Sequence, residues 1–225
     1  MRVILSMTTI PSRVGKLDQT IESLLAQAFK PDEIRLHLTP ATGIPRESAL
    51  AWGAHVTAVP VEQDYGPVTK LYAVTDKQLD PSDLVVTVDD DIVYKPEWLA
   101  MVVGAAQTFT DDAIGFAGWD VKRFLDGSGV YIFKSAPSFC DVLEGWAGAA
   151  YRVRFFDGVD IMRPPPAFHF VDDVWISSQL HKRGIKRRLI AFPQAKAIEG
   201  NGPGLHTRHD FVELNRQAAI LGFEP

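Results

Sequence analysis

The pattern that most restricts the fold of this chain is a regular alternation of short apolar segments with helical segments along its first half. Between the first two apolar segments, apolar residues recur over 17–28 with the spacing of one helical face, and further helices with an apolar face are predicted after Pro67 and over 96–109. Such alternation predicts an α/β fold with a largely parallel sheet and right-handed crossovers. The segments with the character of strands are Val3–Leu5, Ile34–Leu38, Val56–Val61 and Leu84–Val88.

The second half of the chain is less regular. Residues 115–151 are typical of short strands joined by glycine-marked turns, and a helix is predicted to begin near Asp172 and to close at Gly184. A strand over 188–192 and a terminal helix over 211–221 follow. No repeat or long linker interrupts the sequence, so we predict a single domain over residues 1–225 whose texture changes near residue 110.

Composition excludes several classes of protein. The chain has 225 residues, with 23 Lys and Arg against 28 Asp and Glu, and 46% of its residues are apolar. That apolar fraction can bury a sizeable core, which excludes disorder as the main state. With a formal net charge of −5, the protein lacks the broad positive field that binds nucleic acid. The longest basic cluster, Lys182–Arg188, is interpreted as a helix end and the entry to a strand.

The single cysteine, Cys140, cannot form an intramolecular disulfide and is interpreted as a small core residue. The sequence starts without the apolar run of a signal peptide, and no window approaches the length of a membrane span. We therefore expect a cytoplasmic protein with no integral membrane segment. Peripheral association with a membrane through a partner stays open.

Three consecutive carboxylates, Asp89, Asp90 and Asp91, follow Leu84–Val88, the segment with the strongest strand signal in the sequence. In an open α/β sheet, ligands bind beyond the carboxyl ends of the strands. Adjacent carboxylates repel one another, and Mg²⁺ or Mn²⁺ would compensate that charge. The pleat of a strand directs Asp89 and Asp91 to one side and Asp90 to the other. The alternative interpretation is a solvated acidic loop that caps the following helix.

A second acidic pair, Asp172 and Asp173, precedes a predicted helix. Capping would explain one carboxylate of the pair, and a carboxylate at a helix start can also act as a general base or hold a substrate hydroxyl. Between the two acidic clusters, small residues flank Trp146, which permits a flat ligand to approach the backbone. A core tryptophan packed between glycines is the alternative there.

In their order and spacing, five segments of the sequence resemble the motifs of GT-A fold glycosyltransferases. The resemblance is closest to small bacterial enzymes grouped with family 2 and to exostosin-like domains, and it extends over nearly the whole chain. It implies a nucleotide-binding half over 1–110 and an acceptor-binding half over 111–225. The five segments are Thr8–Arg13, Tyr65–Leu71, Val88–Asp91, Glu144–Gly148 and Val171–Trp175.

The resemblance also implies roles for individual residues on the donor side. Asp91 corresponds to the metal-ligating carboxylate of the DxD motif, and His206 would supply a further ligand to Mn²⁺ or Mg²⁺, with His209 as the alternative. The residues expected around the nucleotide and its diphosphate are Thr8, Thr9, Ile10, Arg13, Lys70, Asp89 and Asp90.

On the acceptor side, the resemblance makes Asp173 the candidate base, while Asp172 would bind acceptor or cap the helix. Asp172 stands where the family commonly has glutamate, so its carboxylate reaches one methylene less far. The residues expected to contact the acceptor are Glu144, Gly145, Trp146 and Gly148.

The activity implied is metal-dependent transfer of a sugar from a nucleotide diphosphate donor to a hydroxyl acceptor, with bacterial surface glycan synthesis as the expected setting. The expected partners are the nucleotide sugar and a glycan or other hydroxyl acceptor, and no nucleic acid. One alternative is a nucleotidyltransferase, although residues 6–13 lack the glycine-rich loop that usually grips a triphosphate. The other is a non-catalytic module that binds a nucleotide sugar or a carbohydrate.

Overall fold

A computed structural model describes residues 1–45, 51–128, 138–191, 195–198 and 210–223. Five α-helices occur in these ranges: α1 (Leu17–Leu25), α2 (Trp98–Thr108), α3 (Val121–Leu125), α4 (Asp172–Lys182) and α5 (Phe211–Phe223). The strands of the same ranges are β1 (Val3–Thr8), β2 (Glu33–Leu38), β3 (Val56–Pro60), β4 (Leu84–Thr87), β5 (Ile92–Tyr94), β6 (Asp112–Gly115), β7 (Gly118–Trp119), β8 (Ser138–Cys140), β9 (Val142–Leu143), β10 (Ala149–Arg152), β11 (Lys186–Leu189) and β12 (Ala195–Ala197).

The described strands build one large central sheet in the order β3-β2-β1-β4-β10-β6-β11-β8. The pairs among β3, β2, β1 and β4 are parallel, and β6 and β11 run in the same direction. Strands β10 and β8 run the opposite way. Two-stranded pairs β12-β5 and β7-β9 lie beside the large sheet. The predicted α/β fold with a mostly parallel central sheet is confirmed.

The two faces of the sheet bury separate apolar clusters because side chains alternate along each strand. On β1, Val3, Leu5 and Met7 pack with the apolar faces of α1 and α2. Ile4 points to the other face, where the apolar residues of α4 and of a 3₁₀ segment, Gly66–Thr75, cover the sheet. Helices therefore enclose both faces, and ligands have access at the edge where the parallel strands end.

Two predicted elements differ from those observed, and helix α3 (Val121–Leu125) forms where only short strands and turns were predicted. The sequence predicts an ordinary helix after Pro67, but the chain forms the tighter 3₁₀ segment Gly66–Thr75 there. The strand predicted over 188–192 lies two to three residues earlier, at Lys186–Leu189, because its pairing with β6 sets its register. None of the described helices combines the length and the apolar character needed to cross a bilayer.

The topology determines which loops meet at the carboxyl ends of the strands. Strands β1 and β4 are parallel neighbours with Ser6 opposite Thr87, so the loop after β1 lies beside the Asp89–Asp91 turn. Strand β2 is the neighbour of β1 on its other side, which brings Thr39 to the same edge.

Candidate functional site

A cavity of about 1050 Å³ opens at the carboxyl edge of the sheet. It is lined by the loops after β1, β2 and β4, by the loop that contains Trp146, and by the start of α4. Residues separated by more than 160 positions in the sequence meet there. The predicted site residues among its lining are Thr8, Thr9, Ile10, Arg13, Lys70, Asp89, Asp90, Asp91, Glu144, Trp146, Asp172 and Asp173.

The middle carboxylate of the acidic turn, Asp90, has its oxygens occupied by neighbouring side chains. Asp90 is 5% exposed, and its Oδ1 and Oδ2 accept hydrogen bonds from Arg13 Nη1 at 2.7 Å and Thr9 Oγ1 at 2.6 Å. Thr20 Oγ1 donates to its carbonyl at 2.9 Å. Asp90 therefore fastens the loop after β1 and helix α1 to the acidic turn.

The flanking carboxylates, Asp89 and Asp91, are each about a quarter exposed and line the cavity. Asp91 Oδ2 lies 3.0 Å from Arg13 Nη2. Burial raises the pKa of Asp91, and the charges of Asp89 and Asp90 raise it further, while Arg13 opposes them. The turn thus carries more negative charge than Arg13 compensates.

Lys70 connects this acidic turn with the second acidic pair. Its side chain is 9% exposed, and Nζ lies 3.0 Å from Asp89 Oδ1 and 3.1 Å from Asp172 Oδ2. Burial would lower the pKa of Lys70, but Asp172, Asp89 and Asp173 outweigh it and raise that pKa well above its usual value. A permanently charged ammonium therefore holds the two acidic clusters together.

The second acidic pair occupies the first turn of α4. The residue before the helix is Val171, and no side chain caps the helix, so the helix-capping alternative for Asp172 is wrong. The Asp172 carboxylate instead faces Lys70. Asp173 Oδ1 is enclosed and has no hydrogen-bond partner among the described residues. Burial first, and then the charge of Asp172, raise the pKa of Asp173 well above its usual range.

Glu144 adds another carboxyl group to the same wall of the cavity. Trp119 Nε1 donates a 2.6 Å hydrogen bond to Glu144 Oε1. Burial raises the pKa of Glu144 to about 7 even though the Trp119 hydrogen bond and the Lys70 charge favour the ionised form. At neutral pH this carboxyl is therefore balanced between its two protonation states.

Two of the predicted acceptor-loop residues are glycines that lie behind the cavity wall. A Cβ on Gly145 would lie 2.7 Å from Asp173 Oδ1 and 2.8 Å from Lys70 Nζ, so only glycine allows these groups their positions. Gly148, with φ of +91°, packs so closely on the ring of Trp98 that a Cβ would overlap it. Gly148 does not line the cavity, and its place in the structure is to let the backbone approach Trp98.

Tyr94 joins the acidic turn to the loop that contains Trp146. Its hydroxyl accepts a hydrogen bond from the backbone N–H of Asp89 at 3.0 Å and donates to the carbonyl of Trp146 at 3.3 Å. The neighbouring Trp98 Nε1 donates to the carbonyl of Ala147 at 2.9 Å. The two sides of the cavity are therefore tied through β5 and α2.

Several lining residues were missed by the sequence reasoning. Thr39 could have been found, because it directly follows a strand that neighbours β1. Phe170 directly precedes the second acidic motif, and its contact with the cavity could have been expected from that position. Nothing in the sequence pattern signals the others. The polar and aromatic residues among those missed are Thr39, Asp64, His169, Phe170, Phe211 and Asn215.

The donor set fits a divalent metal ion, although it is incomplete within the described chain. No group of three or more His, Cys, Asp or Glu side chains with a metal-binding arrangement occurs in the ranges described above. His206 and His209 lie outside those ranges. Asp89 and Asp91 nevertheless present hard carboxylate oxygens to the cavity. A Mg²⁺ site commonly uses one or two carboxylates and completes its coordination with phosphate and water oxygens.

No protein-family model matches the sequence, and no curated protein sequence matches it either. Solved structures do match. S. aureus TarS 1–349 shares 16% identity over 98% of this chain and 65% of that chain, with a TM-score of 0.60. Its complex with UDP matches with 17% identity over 99% and 65% of the two chains and a TM-score of 0.63.

A second neighbour is GalNAc-T7 with UDP, GalNAc and Mn²⁺, at 13% identity over 98% of this chain and 48% of that chain, with a TM-score of 0.66. The chain thus spans between about half and two thirds of the length of these structures. Both neighbours are glycosyltransferases with GT-A-like folds. The resemblance inferred from the motifs is therefore confirmed for the architecture, and the chain has the GT-A fold.

Proposed function

We propose that this protein is a metal-dependent glycosyltransferase that moves a sugar from a nucleotide diphosphate donor to a hydroxyl acceptor. The observation that carries the proposal is the Lys70 bridge, in which one buried ammonium contacts Asp89 and Asp172 in a single cavity. Sugar transfer needs a site for a departing diphosphate next to a carboxylate that can act on an incoming hydroxyl. Lys70 holds side by side the two carboxylate clusters that would supply these two functions, Asp89–Asp91 for the diphosphate and its metal, and Asp172–Asp173 for the hydroxyl.

On the donor side, Asp91 and Asp89 would hold Mn²⁺ or Mg²⁺, and His206 would add a ligand. A bound cation would stabilise the charge that develops on the leaving diphosphate. The chain's own contribution is to orient these carboxylates. Arg13 fixes Asp91, and Asp90 fixes Arg13, so the acidic turn is held in place before the donor binds.

Around the donor, Thr8, Thr9 and Ile10 form the cavity wall beside the acidic turn. The sequence resemblance gives Lys70 a direct contact with the diphosphate or ribose. The contacts of its Nζ favour a different role, since Asp89 and Asp172 already engage it. We therefore assign Lys70 to the joining of the two acidic clusters, and the loop residues to the nucleotide.

On the acceptor side, Asp173 is the proposed base. Asp173 lines the cavity, where an acceptor hydroxyl would reach its carboxylate. Its raised pKa makes the ionised form of this carboxylate a stronger base. In an inverting reaction Asp173 would remove the hydroxyl proton, whereas in a retaining reaction it would lie beneath the oxocarbenium-like sugar. Glu144 and Trp146 would form the wall on which the acceptor rests, with Gly145 directly behind it.

The neighbours suggest which donor to test first. TarS has been solved in complex with UDP and with UDP-GlcNAc, and GalNAc-T7 with UDP, GalNAc and Mn²⁺. We propose a uridine diphosphate sugar as the donor class for this chain. The cytoplasmic location, the peripheral membrane association and the role in surface glycan synthesis stay predictions.

The proposal is tested by calorimetry with UDP, GDP and CDP, each with and without Mn²⁺, followed by turnover of the matching nucleotide sugars. We expect metal-dependent binding of UDP. We further expect that Asp91→Asn weakens it and that Asp173→Asn leaves it intact. Both variants should lower turnover by roughly 10²–10⁴-fold, the usual contribution of one acid–base or electrostatic group. Thermal melting checks that both remain folded.

Asp160→Asn is the matched control, because Asp160 is an exposed aspartate outside the cavity. It should retain wild-type binding and turnover. Binding of a nucleotide sugar with no turnover of any sugar would identify a binding module instead. Near-normal turnover by Asp173→Asn would remove the base assignment, and metal-independent binding of every nucleotide would remove the role of Asp91.

A further inference from the structure

A buried histidine on β2, His37, has no place in the mechanism proposed above. It is 1% exposed, and its Nε2 lies 2.9 Å from Ser6 Oγ. The other ring nitrogen, Nδ1, is enclosed and has no hydrogen-bond partner in the described part of the chain. Leaving a polar group buried and unpaired is unfavourable, because the group gives up its hydrogen bond to water. A group retained at that cost requires an explanation.

The hydrogen bonds around Ser6 fix the direction of this polar chain. The Ser6 hydroxyl donates to the backbone carbonyl of Lys70 at 2.5 Å. Because a hydroxyl carries one hydrogen, Ser6 must accept from the histidine, so His37 Nε2–H is the donor. Burial, and then the charge of Arg35, lower the pKa of His37 to about 3, which keeps the ring neutral. The chain therefore runs from His37 through Ser6 to Lys70.

The hydrogen bonds from His37 through Ser6 to Lys70 lead to the candidate active site. Ser6 on β1 and His37 on β2 both contact the 3₁₀ segment Gly66–Thr75. Ser6 donates a hydrogen bond to the Lys70 carbonyl, and the ring centroids of His37 and Tyr72 lie 5.4 Å apart. At the other end of the same residue, Lys70 Nζ lies midway between two carboxylates at 3.0 and 3.1 Å. A shift of about 1 Å in the Lys70 backbone would break one of these contacts.

We propose that His37 and Ser6 are positioning residues for Lys70, and that they set the place of its ammonium between Asp89 and Asp172. Apolar packing of Val68 and Leu71 holds the segment against the sheet, but such packing is non-directional. The hydrogen bond to the Lys70 carbonyl is directional and fixes the segment along the strand. The catalytic consequence rests on the proposed function, whereas the positioning itself does not.

The positioning is tested first without any activity measurement. In protein labelled with ¹⁵N-lysine, the buried Lys70 ammonium should give its own resonance, assigned by its loss in Lys70→Met. We expect Ser6→Ala and His37→Phe to shift or broaden that resonance, and His37→Gln, whose amide nitrogen replaces Nε2 as a donor, to restore it. An unchanged Lys70 resonance in Ser6→Ala and His37→Phe overturns the proposal.

The catalytic consequence is tested by a double-mutant cycle. We expect Ser6→Ala and His37→Phe each to lower kcat by about tenfold, the scale of one lost hydrogen bond, with little change in KM. In a Lys70→Met background the same changes should lower kcat by less than about twofold, because they act through Lys70. Equal losses in both backgrounds would show that Ser6 and His37 affect turnover independently of Lys70 and would overturn the catalytic consequence.

His55→Gln is the control histidine, because its side chain is exposed and lies outside the cavity. It should change neither the resonance nor kcat. If the wild-type protein transfers no sugar, the proposed function fails while the resonance experiment still decides the positioning. If the resonance moves and the kinetic losses are additive, the positioning of Lys70 stands and its catalytic role is rejected.

Discussion

At the scale of single residues, the site is a group of carboxylates with too few cations to balance it. Asp89, Asp90, Asp91, Asp172, Asp173 and Glu144 share the two cations Arg13 and Lys70. Burial, together with this excess of negative charge, raises the pKa values of Asp91, Asp173 and Glu144. A cation that arrives with the donor would relieve the repulsion.

Glu144 makes the stability of the metal-free protein depend on pH. Its pKa is about 7 in the folded chain against an ordinary value of 4.5, so the folded state binds the proton more tightly. The stabilisation is fully present below pH 4.5 and is lost as pH rises towards 7, by on the order of 1 kcal/mol per pKa unit. The free energy of unfolding, measured by urea denaturation at several pH values, should fall between pH 4.5 and 7 in the wild type. This slope should be smaller in Glu144→Gln. The same slope in Glu144→Gln would refute the assignment, and Glu22→Gln, on the exposed face of α1, should retain it.

At Gly145, we expect the addition of a single methyl group to disturb the candidate site. Gly145→Ala places a methyl within 2.8 Å of both Lys70 Nζ and Asp173 Oδ1. We expect a loss of stability of about 1–3 kcal/mol and a fall in turnover of at least about tenfold. Gly104→Ala on α2, where a Cβ meets nothing within 4 Å, should be neutral or stabilising. Wild-type turnover by Gly145→Ala would show that Lys70 and Asp173 need not hold their present positions.

At the scale of elements, β5 acts as the brace between the acidic turn and the Trp146 loop. Tyr94→Phe removes the hydroxyl that joins the Asp89 N–H to the Trp146 carbonyl. We expect it to cost about 1–2 kcal/mol of stability and to weaken Mn²⁺ binding, because the backbone of the acidic turn loses a partner. Calorimetric titration with Mn²⁺ measures the effect. Tyr65 lies outside this hydrogen-bonded link, so the Tyr65→Phe variant should bind Mn²⁺ normally. Equal Mn²⁺ affinities of the two variants would argue against a bracing role for Tyr94.

The elements also show where local pattern was sufficient and where it was not. Strand β4 was predicted from its continuous apolar run and helix α2 from its apolar periodicity, because β4 is buried throughout and α2 along one face. The segment after Pro67 was predicted as a helix, whereas the chain forms a tighter 3₁₀ segment that packs against β1, β2 and β4, contacts that no local pattern contains. The register of β11 is likewise set by its pairing with β6.

At the scale of the whole molecule, metal and nucleotide should stabilise the protein together. A ligand that binds only the folded state adds about 2.7 kcal/mol at a concentration of 100 Kd. We expect Mn²⁺ and UDP in combination to raise the melting temperature more than the sum of their separate effects. In Asp91→Asn, the rise in melting temperature with both ligands should equal the sum of the rises with each ligand alone. An equal rise with UDP in the presence of a chelator would contradict a metal-bridged donor site.

The α/β architecture and the location of both acidic clusters follow from periodicity and motif order, which are local properties of the chain. The apolar run before Asp89–Asp91 likewise puts these carboxylates at the end of a buried strand, where ligands bind. Three relations are visible in the folded molecule alone: Asp90 is engaged by Thr9 and Arg13, Lys70 joins Asp89 to Asp172, and the neutral His37 lies behind them. These relations depend on which strands are neighbours and on how deeply each charge is buried, and neither quantity is encoded at any single position of the sequence.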